Sequence, residues 1–111
     1  MRRLIFCLGG IFALMPPALA ETMTAKQIEG ELIGRVLCID AKAGVVCASH
    51  KPGGKSEIVS GQEKQTGTWK FKGNELCVTW QKIRRGKEGC ASYEKTKSAY
   101  SSPSFGKITV K

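Results

Sequence analysis

The chain has 111 residues, and its 18 Lys and Arg outnumber nine Asp and Glu for a formal net charge of +9. That length leaves room for one small domain. The cationic excess points to anionic partners such as acidic glycans, lipid head groups, nucleic acid or acidic proteins.

Residues 1–20, "MRRLIFCLGGIFALMPPALA", have the form of a secretory signal peptide. Arg2 and Arg3 supply the basic start, residues 4–15 are almost wholly apolar, and Ala18-Leu19-Ala20 is the small-x-small pattern cut before Glu21. The apolar run falls short of the roughly 20 residues a helix needs to span a bilayer. Cys7 lies inside that run, too early to become a lipidated N-terminus. No second apolar stretch follows, so a soluble periplasmic or secreted protein with no transmembrane anchor is expected, and a monomer. Removing residues 1–20 from 111 leaves 91, and losing Arg2 and Arg3 lowers the charge to +7. A chain of this size buries only about 60–65% of its unfolded surface, so its core needs help.

Residues 21–31, "ETMTAKQIEGE", read as a tether followed by a short helical turn. Thr24 and Gln27 have capping-box spacing, and Gly30 is placed to end the turn. From residue 32 onward the texture becomes β-like. Residues 32–39 and 44–49 predict two strands joined by a tight connection; Pro52-Gly53-Gly54 makes 50–55 a loop; residues 56–61 predict a weaker strand. "QEKQ" (62–65) is a polar connection. Residues 66–80 predict a hairpin, 90–95 a strand, "TKSAYSSPS" (96–104) a Ser-rich link and 105–111 a last strand. Seven short strands with Gly-rich turns predict an all-β antiparallel meander, curled into a small barrel or tight sandwich. Residues 32–111 form its single domain.

The stretch "TGTWKFKGNELCVTW" (66–80) fixes a register. Gly73-Asn74 tolerates the positive φ of a two-residue turn, which pairs Lys72 with Glu75, Phe71 with Leu76, Lys70 with Cys77 and Trp69 with Val78. Side chains alternate along a strand, so Trp69, Phe71, Leu76, Val78 and Trp80 share an apolar face, and Lys70, Lys72, Glu75, Cys77 and Thr79 a polar one. A slip of one residue would mix the two, so the register is strongly specified. The tryptophans are expected as core rather than as a ligand-stacking platform.

Cys38, Cys47, Cys77 and Cys90, an even number in a short exported chain, predict two disulfides. Cys38–Cys47 and Cys77–Cys90 would each staple a hairpin with a sensible loop. The pairings Cys38–Cys77 with Cys47–Cys90, and Cys38–Cys90 with Cys47–Cys77, stay open. A zinc site is disfavoured, because there is no Cys-x-x-Cys and His50 is the only histidine. No metal or cofactor is expected.

"MTAKQIEGELIGRVL" and "GTWKFKGNELCVTWQK" with a later cysteine resemble small exported α-proteobacterial proteins of unknown function, of the DUF995 type. The shared pattern falls on Gly67, Trp69, Gly73, Leu76, Cys77, Trp80 and Cys90. The pair Cys38 and Cys47 departs from it. The Trp hairpin is also similar to one in periplasmic metalloprotease-inhibitor barrels. These resemblances imply a β fold and an exported compartment, and carry no catalytic residue.

The chain offers little that an enzyme requires. His50 adjoins Lys51-Pro52-Gly53-Gly54 and is expected as an exposed loop residue; "PGGK" is too short for a phosphate-binding loop; the carboxylates are scattered. The functional candidate is the basic loop between the last hairpin strands. Lys82, Arg84, Arg85 and Lys87 cluster at its tip, with Lys95 and Lys97 near its base, and paired N–H donors there suit phosphate or carboxylate. Nucleic acid is disfavoured for want of exposed aromatics. Two functions are therefore expected: an envelope binding module presenting that loop, or a protein-directed factor, inhibitor-like or host-directed in virulence, whose N-terminal tether enters a partner's cleft.

Overall fold

The structure, a computed structural model, describes residues 20–42 and 44–111. The expected signal peptide lies outside the described residues, save for Ala20. Gly73 takes φ +60°, and the ribbon it helps to turn pairs Lys72 with Glu75, Phe71 with Leu76, Lys70 with Cys77 and Trp69 with Val78. The expected register therefore holds throughout this hairpin. Trp69 and Phe71 meet edge to face with centroids 5.4 Å apart, and both pack on the core with Leu76 and Val78.

In chain order the elements are β1 (Glu21–Thr22), α1 (Ala25–Glu31), β2 (Val36–Ala41), β3 (Gly44–Lys51), β4 (Lys55–Ser60), β5 (Glu63–Lys72) and β6 (Glu75–Trp80). A single 3₁₀ turn (Ile83–Gly86) precedes β7 (Gly89–Ala91), β8 (Glu94–Lys95), β9 (Tyr100–Ser102) and β10 (Gly106–Val110). All ten strands join one sheet in the order β1-β8-β9-β10-β2-β3-β4-β5-β6-β7, every pairing antiparallel. The chain passes from β7, at one end of that order, into β8, near the other, through Ser92 and Tyr93 alone. Two residues cannot cross a flat sheet, so the sheet must curl. It is a half-barrel, and the all-β class is as expected.

The strands number ten rather than seven for local reasons. Tyr100–Ser102, inside the Ser-rich link, pairs with both β8 and β10. Residues 90–95 divide at Ser92–Tyr93, changing partners from β6 to β9. The polar stretch 62–65 contributes the start of β5, because a strand paired on both sides accepts charged residues wherever its side chains point outward. Leu32 and Ile33 are not strand: Leu32 ends the helix, donating its N–H to the Ile28 carbonyl, and is fully buried. Gly30 does not stop the helix, which continues through Glu31.

The N-terminal stretch is no tether. Glu21 and Thr22 pair with Lys95 and Glu94, and the Met23 N–H donates to the Tyr93 carbonyl at 2.8 Å. The capping box is present, with the Gln27 N–H donating to Thr24 Oγ1 and the Thr24 N–H to Gln27 Oε1. The Asn74 side chain accepts the Ala25 N–H at 2.9 Å, so one turn residue also anchors the helix start. Met23, Ile28 and Leu32 are buried against Leu37, Leu76, Tyr93 and Ile108, and together they plug one end of the half-barrel. Glu31 completes the seal, accepting from Lys95 Nζ at 2.7 Å and Tyr100 Oη at 2.6 Å; these bonds hold its carboxyl below the usual carboxylate range.

Both disulfides are the local ones, Cys38–Cys47 and Cys77–Cys90, each joining directly opposed residues on neighbouring strands with Cα atoms 4.0 Å apart. They lie on the sheet's outer face, as the ribbon register requires for Cys77. Among the described residues no helix is long and apolar enough to cross a membrane. The bridges fit a secreted or periplasmic protein.

Candidate functional site

Alternation of direction around the sheet places the 61–62, 81–88 and 103–105 connections at the end opposite α1. That end carries the basic loop. The loop is not a free hairpin tip. Gln65, the inward residue of β5 opposite Ile58, turns its Oε1 to accept the N–H groups of Lys82 and Ile83, at 3.0 and 3.2 Å. Ile83 is thereby laid half-buried over the half-barrel mouth.

Next the chain coils left-handed. Arg84 has φ +58° and Arg85 φ +57°, followed by Gly86 at φ +76°. For residues with a Cβ this costs roughly 1–2 kcal/mol each. The coil separates the four cations. Arg84 lies back across Gly89, where an added Cβ would stand 2.7 Å from its Nε, and its side chain borders the interior. Lys82, Arg85 and Lys87 are exposed. No ion pair among the described residues involves any of the four. Glu88, adjoining the loop, is engaged instead by Lys70 and Lys72, which hold its carboxyl below the usual range. Its oxygen also lies within 4.8 Å of the Cys77 and Cys90 sulfurs, but both are spent in a disulfide and offer no thiolate to a metal. Lys95 is committed to Glu31, so it is not part of the loop's base.

Beneath the loop lies a cavity of about 230 Å³. Its walls are apolar: Leu37 and Ile39 from β2, Val46 from β3, Ile58 from β4, Val78 from β6 and Ile108 from β10. Arg84, Ser104 and Phe105 mark its rim. His50 and Trp80, the two ends of one paired row across four strands, His50–Ser56–Gly67–Trp80, also border it.

His50 corrects a sequence expectation. It is the penultimate residue of β3, points inward and is 4% exposed, because the β3–β4 turn tightens to Pro52–Gly54 and leaves His50 paired with Ser56. Its Nδ1 lies 2.7 Å from Ser56 Oγ, and burial pushes its pKa down to about 4. Such an imidazole is neutral and a weak base near pH 7, and Ser56 beside it is fully buried.

Gly67 makes room for the row. A Cβ there would collide with the Thr79 carbonyl and touch the Trp80 ring, which lies 6.3 Å from His50 between centroids. Trp80 is thus a cavity wall, while Trp69 donates its ring N–H to the Lys51 carbonyl at 2.8 Å, as a packed core tryptophan does. Tyr93 is 5% exposed and borders the cavity; burial raises its hydroxyl pKa to about 12. Sequence reasoning did not place His50, Gly67 or Tyr93 at or beside a cavity. A usable signal was the Pro-Gly-Gly turn, since closing it between Lys51 and Lys55 aligns the row.

No family model, no curated protein and no solved structure matches this chain.

Proposed function

We propose that this protein is a non-enzymatic, exported binding module of the cell envelope that presents the 81–87 loop to an anionic envelope surface. The observation that carries this reading is the loop's charge state: four cations within six residues, without an ion pair among the described residues, although Glu88 lies beside them. The left-handed coil at Arg84 and Arg85 adds support, because backbone strain of this kind persists where the surrounding structure holds it and concentrates at functional segments. The protein-directed alternative loses the tether part of its motivation, since residues 21–31 are docked into the molecule's own half-barrel.

The test is sedimentation with vesicles of phosphatidylglycerol or of phosphatidylcholine. Wild type is expected on the former and not the latter, with retention falling as salt rises. At about 1 kcal/mol per cation near an anionic surface, K82Q/R85Q/K87Q should weaken retention by on the order of 100-fold. Equal retention of the folded triple variant would reject the reading.

A further inference from the structure

We propose that the cavity beneath the loop is a second, separate binding site, for a small monocarboxylate with an apolar body: a single substituted ring or a short acyl chain. This goes beyond the surface reading above, because it concerns the half-barrel's interior and a different cation.

Size is the first argument. At about 230 Å³ the cavity exceeds the roughly 150 Å³ that suffices to take up benzene. Native interiors are close-packed, and voids larger than a water molecule are few. Met23, Ile28 and Leu32 fill the helix end with almost no exposure, whereas Ala48 and Ala91 bring only a methyl group each to the cavity wall.

Buried polar groups are the second. His50 has one ring nitrogen on Ser56, and the other makes no hydrogen bond among the described residues. The Tyr93 hydroxyl likewise makes none there. Buried tyrosine hydroxyls and imidazole nitrogens ordinarily find partners, and each left without one costs about 1–3 kcal/mol. Two such groups bordering one apolar cavity can meet a polar atom carried on a ligand's body.

Charge is the third argument. His50 is neutral and Tyr93 protonated at neutral pH, so among the described residues Arg84 is the one charged side chain on the cavity wall. It stands at the rim, exposed, its guanidinium laid across Gly89 by the left-handed turn. A ligand with its apolar body inside would bring its head group to Arg84, whose planar N–H fork matches a carboxylate.

Octanoate, 1-octanol and octylamine serve as probes, titrated into the oxidised protein by calorimetry and by Trp80 emission. Octanoate should bind about tenfold more tightly than octanol, as one charge-assisted pair allows, and octylamine most weakly. R84Q should equalise octanoate and octanol. A48F, which fills the cavity, should abolish binding of both. K82Q/R85Q/K87Q should leave octanoate binding unchanged, so failure of the surface reading and failure of this one are told apart. No saturable octanoate binding, equal wild-type affinity for octanoate and octanol, or unaltered binding by folded A48F would overturn the proposal. Because Arg84 is exposed, R84Q keeps the test decisive should A48F not fold.

Discussion

The two ends of this half-barrel are closed by opposite means. At the helix end, Met23, Ile28 and Leu32 have almost no exposure, the capping box satisfies the helix start, and Glu31 ties the helix to β8 and β9. At the loop end, closure is a half-buried Ile83, two N–H bonds to one glutamine and a run of cations facing solvent. One end uses apolar burial, which stabilises in proportion to area; the other uses a few polar bonds that leave space behind them. Apolar burial is concentrated at the first end, and the proposed ligand access lies at the second.

The comparison can be broken from either side. The largest effect should come from Ile28→Ala, which empties a fully buried site in the plug: about 2–5 kcal/mol lost in urea unfolding of the oxidised protein. A loss under 1 kcal/mol would mean that the helix end is not where stability resides.

Next comes the pH dependence of the interior. In the unfolded chain His50 takes up a proton below its ordinary pKa of 6.5, whereas the folded protein keeps it neutral down to about 4. Its contribution to stability is therefore complete above pH 6.5 and declines as pH falls to 4, by on the order of 3 kcal/mol. The carboxyls of Glu31, Glu57 and Glu88, held low by lysines and a tyrosine, lose theirs as pH falls below their ordinary 4.5. Subtracting the pH profile of H50Q isolates the histidine. Identical slopes in the two proteins between pH 6.5 and 4 would remove His50 from the buried row.

The smallest effect should follow Gln65→Ala. Losing two hydrogen bonds to the loop costs about 1–2 kcal/mol globally. The sharper readout is amide hydrogen exchange, which should quicken at residues 81–88 and not at 25–32. Exchange rising equally at both ends would show that they are not independent.

Much of the fold was legible in the sequence because its determinants are local. Alternation around Gly73-Asn74 fixed the ribbon, hairpin-sized loops favoured the disulfides that formed, and the spacing of Thr24 and Gln27 marked the helix start. The short strand at 100–102 was not legible: "YSS" has no apolar alternation and becomes a strand through partners on both sides. The candidate site was half legible. Lys82, Arg84, Arg85 and Lys87 stood out as a charge cluster, but nothing in their order says that Arg84 turns back toward the interior while the other three face solvent.

By itself, then, the sequence determined which residues alternate, where the chain reverses and which cysteines could meet, since each depends on neighbours a few positions apart. Only the tertiary structure decided that the N-terminal stretch is a plug and not a tether, that His50 is buried, and that space remains beneath the loop. Those outcomes depend on curvature. Bringing β7 and β8 to opposite ends of one strand order curls the sheet, and how far the inward side chains then fill the enclosed volume is a sum over residues from every strand.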